Sequence, residues 1–311
     1  MLANELIALL PKGESVVNVQ PIGGSGSNRS YWRINLASGK ELIGTIGNRL
    51  AENDAFIYLS KKLATAGVNV PRVVAVSSDG MAYLQTSVGT KSLYDCLERT
   101  DLIEQSIDLL AQVHQVTDID YSQCYPVPEM DRRAIMWDLN YFKYCFLRTT
   151  PGLELNEPAL EDDFERLTDI ILSAKPLGFM VRDFQSRNIM IDANDCLALI
   201  DFQGGRLGPA HYDVASFLWQ ARAGFADNLR WAMVAHYCAK RGIDETKFRT
   251  ELPYFIAFRL MQALGAYGFR GRFEGKEQFI QPIAPAVESL KAILAALPIP
   301  LPSIAAHLRE C

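Results

Sequence analysis

The sequence predicts an α+β chain in two parts, a small antiparallel-sheet lobe with one helix over residues 1–88 and a larger, mainly helical lobe over residues 89–311. Three observations predict this. Short β-branched and aromatic runs separated by turn residues fill the first ninety positions. From Ser92 onward apolar residues recur at helical spacing. One pair of short apolar runs, "IMI" and "LALI" with "DAND" between them, reads as a hairpin inside the helical part.

In chain order, the expected strands are "SVVNVQPI", "SYWRINLA", "ELIGTIG", "RVVAVSS" and "MAYLQTS". A helix interrupts them from Ala51 to Ala66, where Phe56, Leu59 and Leu63 fall on one face and Gly67 supplies a stop. Beyond Ser92, "DLIEQSIDLLAQVHQV" repeats Ile103, Ile107, Leu110 and His114, and "EDDFERLTDIILSA" repeats Phe164, Leu167 and Ile171. His114 lies on the apolar face and reads as a packed structural histidine. Further helices follow in "YDVASFLWQARAGF", "NLRWAMVAHYCAKRG", "LPYFIAFRLMQALGAYGF" and "AVESLKAILAALPIP".

Bulk properties narrow the function. The 311 residues can bury a sizeable core, and a net charge of -5 gives no electrostatic reason to expect nucleic acid or an anionic membrane as partner. The six cysteines form no CxxC pair and read as free thiols in a reducing compartment. Neither a secretion signal nor a membrane-length apolar run is present, so the expected location is cytoplasmic.

The chemistry concentrates in "VRDFQSRNIMIDANDCLALIDFQGG". Phosphoryl transfer from ATP needs a carboxylate aimed at the attacking hydroxyl, oxygen ligands for Mg2+, and groups that hold the phosphates. Asp183 and Asn188 share one loop, five residues apart, and Asp201 follows the second strand of the hairpin. Asp183 is suited to take a proton, and Asn188 and Asp201 offer the hard oxygens that Mg2+ prefers. The plainer reading is that both acids cap turns and the amide satisfies loop backbone. Arg182 and Arg187 flank Asp183 and either neutralise transferred phosphate or anchor the loop.

With "VRDFQSRNIMI" and "ALIDFQGGRLGPAHYDVASFL" on view, the chain resembles the aminoglycoside phosphotransferase and choline kinase superfamily. Within it the chain is similar to bacterial kinases that phosphorylate the anomeric hydroxyl of N-acetylmuramate and N-acetylglucosamine. The resemblance implies a protein-kinase-like two-lobe fold, ATP and Mg2+ as cofactors, and a small-molecule hydroxyl acceptor. It implies Asp183 as catalytic base and Asn188 and Asp201 as magnesium ligands. Asp213, in "HYDVAS", matches a residue that braces the loop, though a plain helix N-cap is the preferred reading. Val181 stands where many such kinases carry a histidine.

At the nucleotide end, "GGSGSNRSYWRI" is a glycine- and serine-rich turn between strands. Gly24, Ser25, Gly26 and Ser27 let backbone amides approach phosphate, although a simple hairpin turn would look the same. The third strand, "ELIGTIG", lacks the basic residue that the resemblance implies, whereas Glu52 matches the acid that would pair with it. Arg29 or Arg33 supplies the missing cation, or the protein tolerates its absence. Leu84, Gln85 and Thr86, in "YLQTSVG", match the segment that faces adenine.

For the acceptor, the acids of "LEDDFERL" either attract a polycation or complement a helix dipole, the second being preferred. Asp138, in the aromatic "MWDLNYFKYCF", and Arg270 and Arg272, in a glycine-rich loop "GAYGFRGRFEGK", are candidate substrate contacts. An arginine there suits a sugar carboxylate bidentately. The reading is therefore an ATP- and Mg2+-dependent kinase of an amino sugar. An aminoglycoside or amino-alcohol kinase, and a catalytically silent nucleotide-binding module, are the alternatives.

Overall fold

The computed structural model of the chain describes residues 2–23 and 29–311. In chain order its elements are α1 (Leu2–Ile7), β1 (Val16–Ile22), β2 (Ser30–Leu36), β3 (Glu41–Ile46), α2 (Leu50–Thr65), β4 (Val73–Val76), β5 (Ala82–Thr86), β6 (Lys91–Ser92) and α3 (Thr100–Val113). Then come α4 (Arg132–Phe142), α5 (Glu157–Ser173), β7 (Leu177–Met180), β8 (Ile189–Ile191), β9 (Leu197–Leu199), β10 (Arg206–Pro209) and α6 (His211–Leu218). The long helices α7 (Asp227–Arg241), α8 (Glu245–Tyr267) and α9 (Ile283–Ala295) precede a short α10 (Pro302–Arg309).

These elements form two compact units, one of Met1–Pro128 with Ser186–Arg206, the other of Glu129–Gln185 with Leu207–Cys311. In the first unit five strands run in the order β1-β2-β3-β5-β4, every pairing antiparallel. Alternation of side chains along the strands puts Ile34, Leu36, Leu42, Ala82 and Leu84 on one face, where Leu6 of α1 covers them. On α2, Phe56 stacks on Tyr83 of β5, with ring centroids 5.1 Å apart. Gly47 is required by a close approach, because a Cβ there would lie 2.3 Å from Asn53 Oδ1.

The compact units do not divide at residue 88. The hairpin β8–β9 continues into β6, with Lys91 opposite Ile191 and Ser92 opposite Met190. Asn69 joins it to the segment after α2, donating Nδ2 to Leu197 O at 2.8 Å and accepting from Leu199 N at 2.9 Å. The hairpin's hydrogen bonds therefore run to residues 69–92, so the expected embedding of 186–206 in a unit beginning at residue 89 is replaced by membership of the first unit.

The second unit centres on α8, whose residues Phe255, Ile256, Ala257 and Phe258 are all fully buried. Such all-round burial marks a central helix rather than an amphipathic surface one. The "GAYGFRGRFEGK" stretch is not a loop: α8 runs to Tyr267 and passes into a π-helical turn, Gly268–Phe273. Its glycines serve packing. A Cβ on Gly268 would sit 2.0 Å from Cys145 O, in the π-helical turn that follows α4. All six cysteines are unpaired, as their spacing predicts. No described helix is long and apolar enough to cross a membrane.

Gly268→Ala is expected to destabilise the protein by about 1–3 kcal/mol, the usual cost of forcing extra atoms into a packed interior. Urea denaturation checks this, and an unchanged midpoint would contradict the close approach.

Candidate active site

In the second unit, β7 ends at Met180 and the chain turns through Val181 into Arg182, which adopts a left-handed backbone with φ 75°. A non-glycine residue pays for that conformation with strain and holds it only when neighbours over-determine it. Asp213 provides the constraint. Its carboxylate is fully buried and accepts from Val181 N at 2.6 Å and from Arg182 N at 2.8 Å. Asp213 is thus a brace and not an N-cap, since α6 begins after Ala210 with no side-chain cap. Val181 is itself fully buried, so the position serves packing. The turn delivers Asp183 with its side chain 45% exposed, open enough to meet a substrate hydroxyl.

Around Asp183 a polar network closes. Arg182 Nη2 donates to Asp138 Oδ1 at 3.1 Å, and Gln262 Nε2 donates to Asp138 Oδ2 at 3.0 Å. Gln262 Oε1 accepts from the Tyr212 hydroxyl and from Arg259 Nη1, the latter at 2.9 Å. Arg259 also donates Nε to Ser216 Oγ at 3.1 Å and sets Nη2 3.6 Å from Asp183 Oδ1. Burial opposes the charge on Arg182, but Asp138, Tyr212 and Asp183 outweigh it and hold its guanidinium pKa above the ordinary value.

Asp138, expected as a substrate contact, is therefore the counter-ion of Arg182. Arg182 anchors the loop through that pair, the plainer of its two sequence readings. Arg259, Gln262 and Tyr212 were missed. Their signal was present, a lone arginine and glutamine three positions apart in the otherwise apolar "LPYFIAFRLMQALG".

In the first unit, Ser186–Asn188 form a 3-10 turn on which Arg187 is exposed and Asn188 buried. Asn188 Nδ2 donates to Asp201 Oδ2 at 3.3 Å, and Gln203 Nε2 donates to Asp201 Oδ1 at 2.8 Å. Asp201 has a left-handed backbone, φ 61°. Next to it, Phe202 is fully buried and stacks on Phe56, centroids 4.9 Å apart. The donor set that Asn188 and Asp201 present, amide and carboxylate oxygen, fits a hard divalent cation.

Of the residues predicted to meet nucleotide, Gly24, Ser25, Gly26 and Ser27 lie outside the described residues. Arg29 is 6% exposed; its Nε lies 3.4 Å from Glu52 Oε1 and its Nη2 donates to Asn53 Oδ1 at 3.1 Å. Arg33 instead faces Glu41, at 3.4 Å. Of the two arginines, Arg29 is the one beside Glu52.

Leu84, Gln85 and Thr86 form the C-terminal end of β5. β5 has partners on both sides, so its backbone groups are engaged in ladders as far as Thr86. Leu84 is fully buried in the sheet core, and Thr86 Oγ1 accepts from Arg72 N at 3.0 Å. Gln85 remains a candidate through its side chain: Oε1 is buried without a hydrogen-bond partner.

Five of the six acids of α5 are engaged, Asp162 being the exception. Arg132 bonds Glu165 and Asp169, Lys143 bonds Glu161, and Arg148 bonds Glu157. Asp163 accepts from Ser303 N at 2.7 Å and Ile304 N at 3.0 Å, capping α10. Arg272 is also occupied. Its Nη1 donates to Phe146 O at 2.9 Å and to the hydroxyls of Thr149 and Thr150, tying down the π-helical turn after α4. Arg270 lies 3.8 Å from Glu274 and over the Phe279 ring. On α4, Ile135, Leu139 and Phe142 are core, while Trp137 beside Asp138 is 53% exposed.

A model of the phosphotransferase enzyme family matches residues 18–249, and the chain belongs to that family. It is 27% identical over 165 residues to the N-acetylmuramate/N-acetylglucosamine kinase of Pseudomonas aeruginosa, a match covering 51% of this chain and 47% of the relative, so the similarity spans about half that protein's length. Among solved structures it is similar to an ethanolamine kinase of Plasmodium vivax, TM-score 0.66 and 12% identity over 88% of this chain and 82% of the other. It is also similar to a GDP complex of an aminoglycoside 2'-phosphotransferase, TM-score 0.65 and 15% identity over 95% and 97% of the two chains. The fold is protein-kinase-like, an antiparallel sheet in the N-terminal part and mainly helices in the remainder.

Asp213→Ala leaves two buried amides without their charged acceptor and is expected to cost roughly 3 kcal/mol or more, at about 1.5–3 kcal/mol for each such bond. Chemical denaturation measures it, and a loss below about 1 kcal/mol would show that the turn at Arg182 does not depend on this carboxylate.

Proposed function

We propose that this family member is an ATP- and Mg2+-dependent kinase that phosphorylates the anomeric hydroxyl of an amino sugar of the N-acetylmuramate or N-acetylglucosamine type. Asp183 orients the acceptor hydroxyl and takes its proton. Asn188 and Asp201 hold the metal, which when bound neutralises charge on the transferring phosphate. Arg29, steadied by Glu52 and Asn53, serves the phosphates in place of a third-strand lysine. Arg187, exposed on the turn before Asn188, is placed for the same charge.

One observation carries the acceptor reading. Five of the six acids of α5, all but the exposed Asp162, are bonded to an arginine, a lysine or a helix terminus. An aminoglycoside site built on that run is unsupported, whereas the amino sugar named for the Pseudomonas aeruginosa relative needs none. Against a silent nucleotide-binding module stands the retention of Asp183, Asn188 and Asp201 together with the Arg29–Glu52 pair.

ADP release by purified protein across N-acetylmuramate, N-acetylglucosamine, ethanolamine and an aminoglycoside tests the proposal. Turnover is expected with the amino sugars. ATP binding without turnover on any acceptor would favour the silent module. Asp183→Asn should lower kcat by about 10²–10⁴-fold, the usual contribution of a positioned base, with nucleotide affinity unchanged. Asp201→Ala should abolish the Mg2+ dependence of nucleotide binding, as read by calorimetry with and without the metal.

A further inference from the structure

Arg259 belongs to no reading of the sequence, yet it is the cation that faces Asp183 from α8. Two of its three nitrogens are committed to the scaffold, Nε to Ser216 and Nη1 to Gln262. The side chain is only 16% exposed, so the guanidinium has little freedom to turn away. Nη2 then lies 3.6 Å from Asp183 Oδ1, an ion-pair separation rather than a hydrogen bond. Its charge reaches the carboxylate at a fixed angle.

Each carboxylate at the Asp183 turn faces a specific partner. Arg259 faces it from α8 and Arg182 precedes it in the chain, while Asp138 of α4 holds Arg182. Tyr212 of α6 bridges to Gln262 and contributes no charge near neutral pH. Two guanidinium groups thus meet the carboxylates of Asp183 and Asp138, while a third carboxylate, that of Asp213, is turned onto the amides of Val181 and Arg182. A cationic acceptor entering beside Asp183 would find the carboxylate already served by Arg259 and would be repelled by that arginine. A neutral sugar would be indifferent to that charge, and an anionic one would find Arg259 favourable.

We propose that Arg259 is a positioning and specificity residue, which fixes the Asp183 carboxylate and selects a neutral or anionic acceptor over an amino-alcohol or polyamine cation. This rests on Asp183 acting as the base. The chain's acidic net charge would suggest the opposite preference, so the selection arises from local pairing.

The test compares wild type, Arg259→Met, Arg259→Lys and Asp183→Asn on N-acetylglucosamine, N-acetylmuramate and ethanolamine at saturating ATP. The readout is the ratio of kcat/KM between acceptors, which cancels any difference in folded fraction. In Arg259→Met the loss of kcat/KM should be greatest for the anionic sugar and smaller for the neutral one. The ratio should move toward ethanolamine by at least about tenfold, the scale of a removed charge-specific contact. For the neutral sugar the loss should appear mainly in kcat, by about 10²-fold if the carboxylate loses its orientation. Arg259→Lys, which keeps the charge, should restore the ratio to within about threefold of wild type. Ratios unchanged in Arg259→Met, with wild type active and Asp183→Asn inactive, would overturn the role of Arg259 and leave the base in place. Full activity of Asp183→Asn would overturn the base, and this inference with it.

Discussion

The buried carboxylate of Asp213 is the constraint on which the turn before Asp183 depends. A left-handed residue other than glycine costs about 1–3 kcal/mol, and Arg182 adopts that conformation in the middle of the loop. Two hydrogen bonds to a charged acceptor return about 1.5–3 kcal/mol each, so the bonds outweigh the strain. Asp213 can do this because it sits in the first turn of a fully buried α6, which places it beneath the end of β7. The same turn sends the Arg182 side chain to Asp138 and leaves Asp183 exposed. Backbone strain here converts a structural helix into a device that aims one carboxylate.

A comparable economy operates in the first unit. Tyr83, Phe56 and Phe202 stack in sequence, joining the central strand β5, the helix α2 and the segment that carries Asp201. On α2, only a few positions before Phe56, stand Glu52 and Asn53, which hold Arg29. One helix thereby supports both the proposed phosphate cation and, through an aromatic contact, the proposed metal ligand. Displacing Phe56 would disturb both at once, although neither polar group touches it.

Much of this was legible in the sequence because it rests on local pattern. Strand runs, the α2 periodicity and the spacing of Asp183, Asn188 and Asp201 are short-range signals, and the observed elements follow them. The failures share a different cause. The hairpin's hydrogen bonds to β6 and Asn69 are tertiary, so no periodicity could assign it to the first unit. Arg272 reads as an available loop charge until the π-helical turn brings it onto Phe146 O. Gly268, four positions before it, is a space left for the backbone of Cys145, whereas Gly275 supplies a left-handed turn with φ 67°. Leu84, Gln85 and Thr86 are read from the resemblance to a segment that faces adenine, and they form the end of β5, which pairs with β3 and β4.

Charge is where the distinction between local and global matters most. A chain with net charge -5 invites an acidic site and a cationic ligand. The acids do not act as a field, because the nearest opposite charge dominates at contact distance and solvent screens the rest. Around α5 they pair with Arg132, Lys143 and Arg148, and around Asp183 they pair with Arg182 and Arg259. What an acceptor meets is the remainder after that pairing. For Asp183 that pairing partner is Arg259, so the local contact and not the net charge of the chain sets the field it presents.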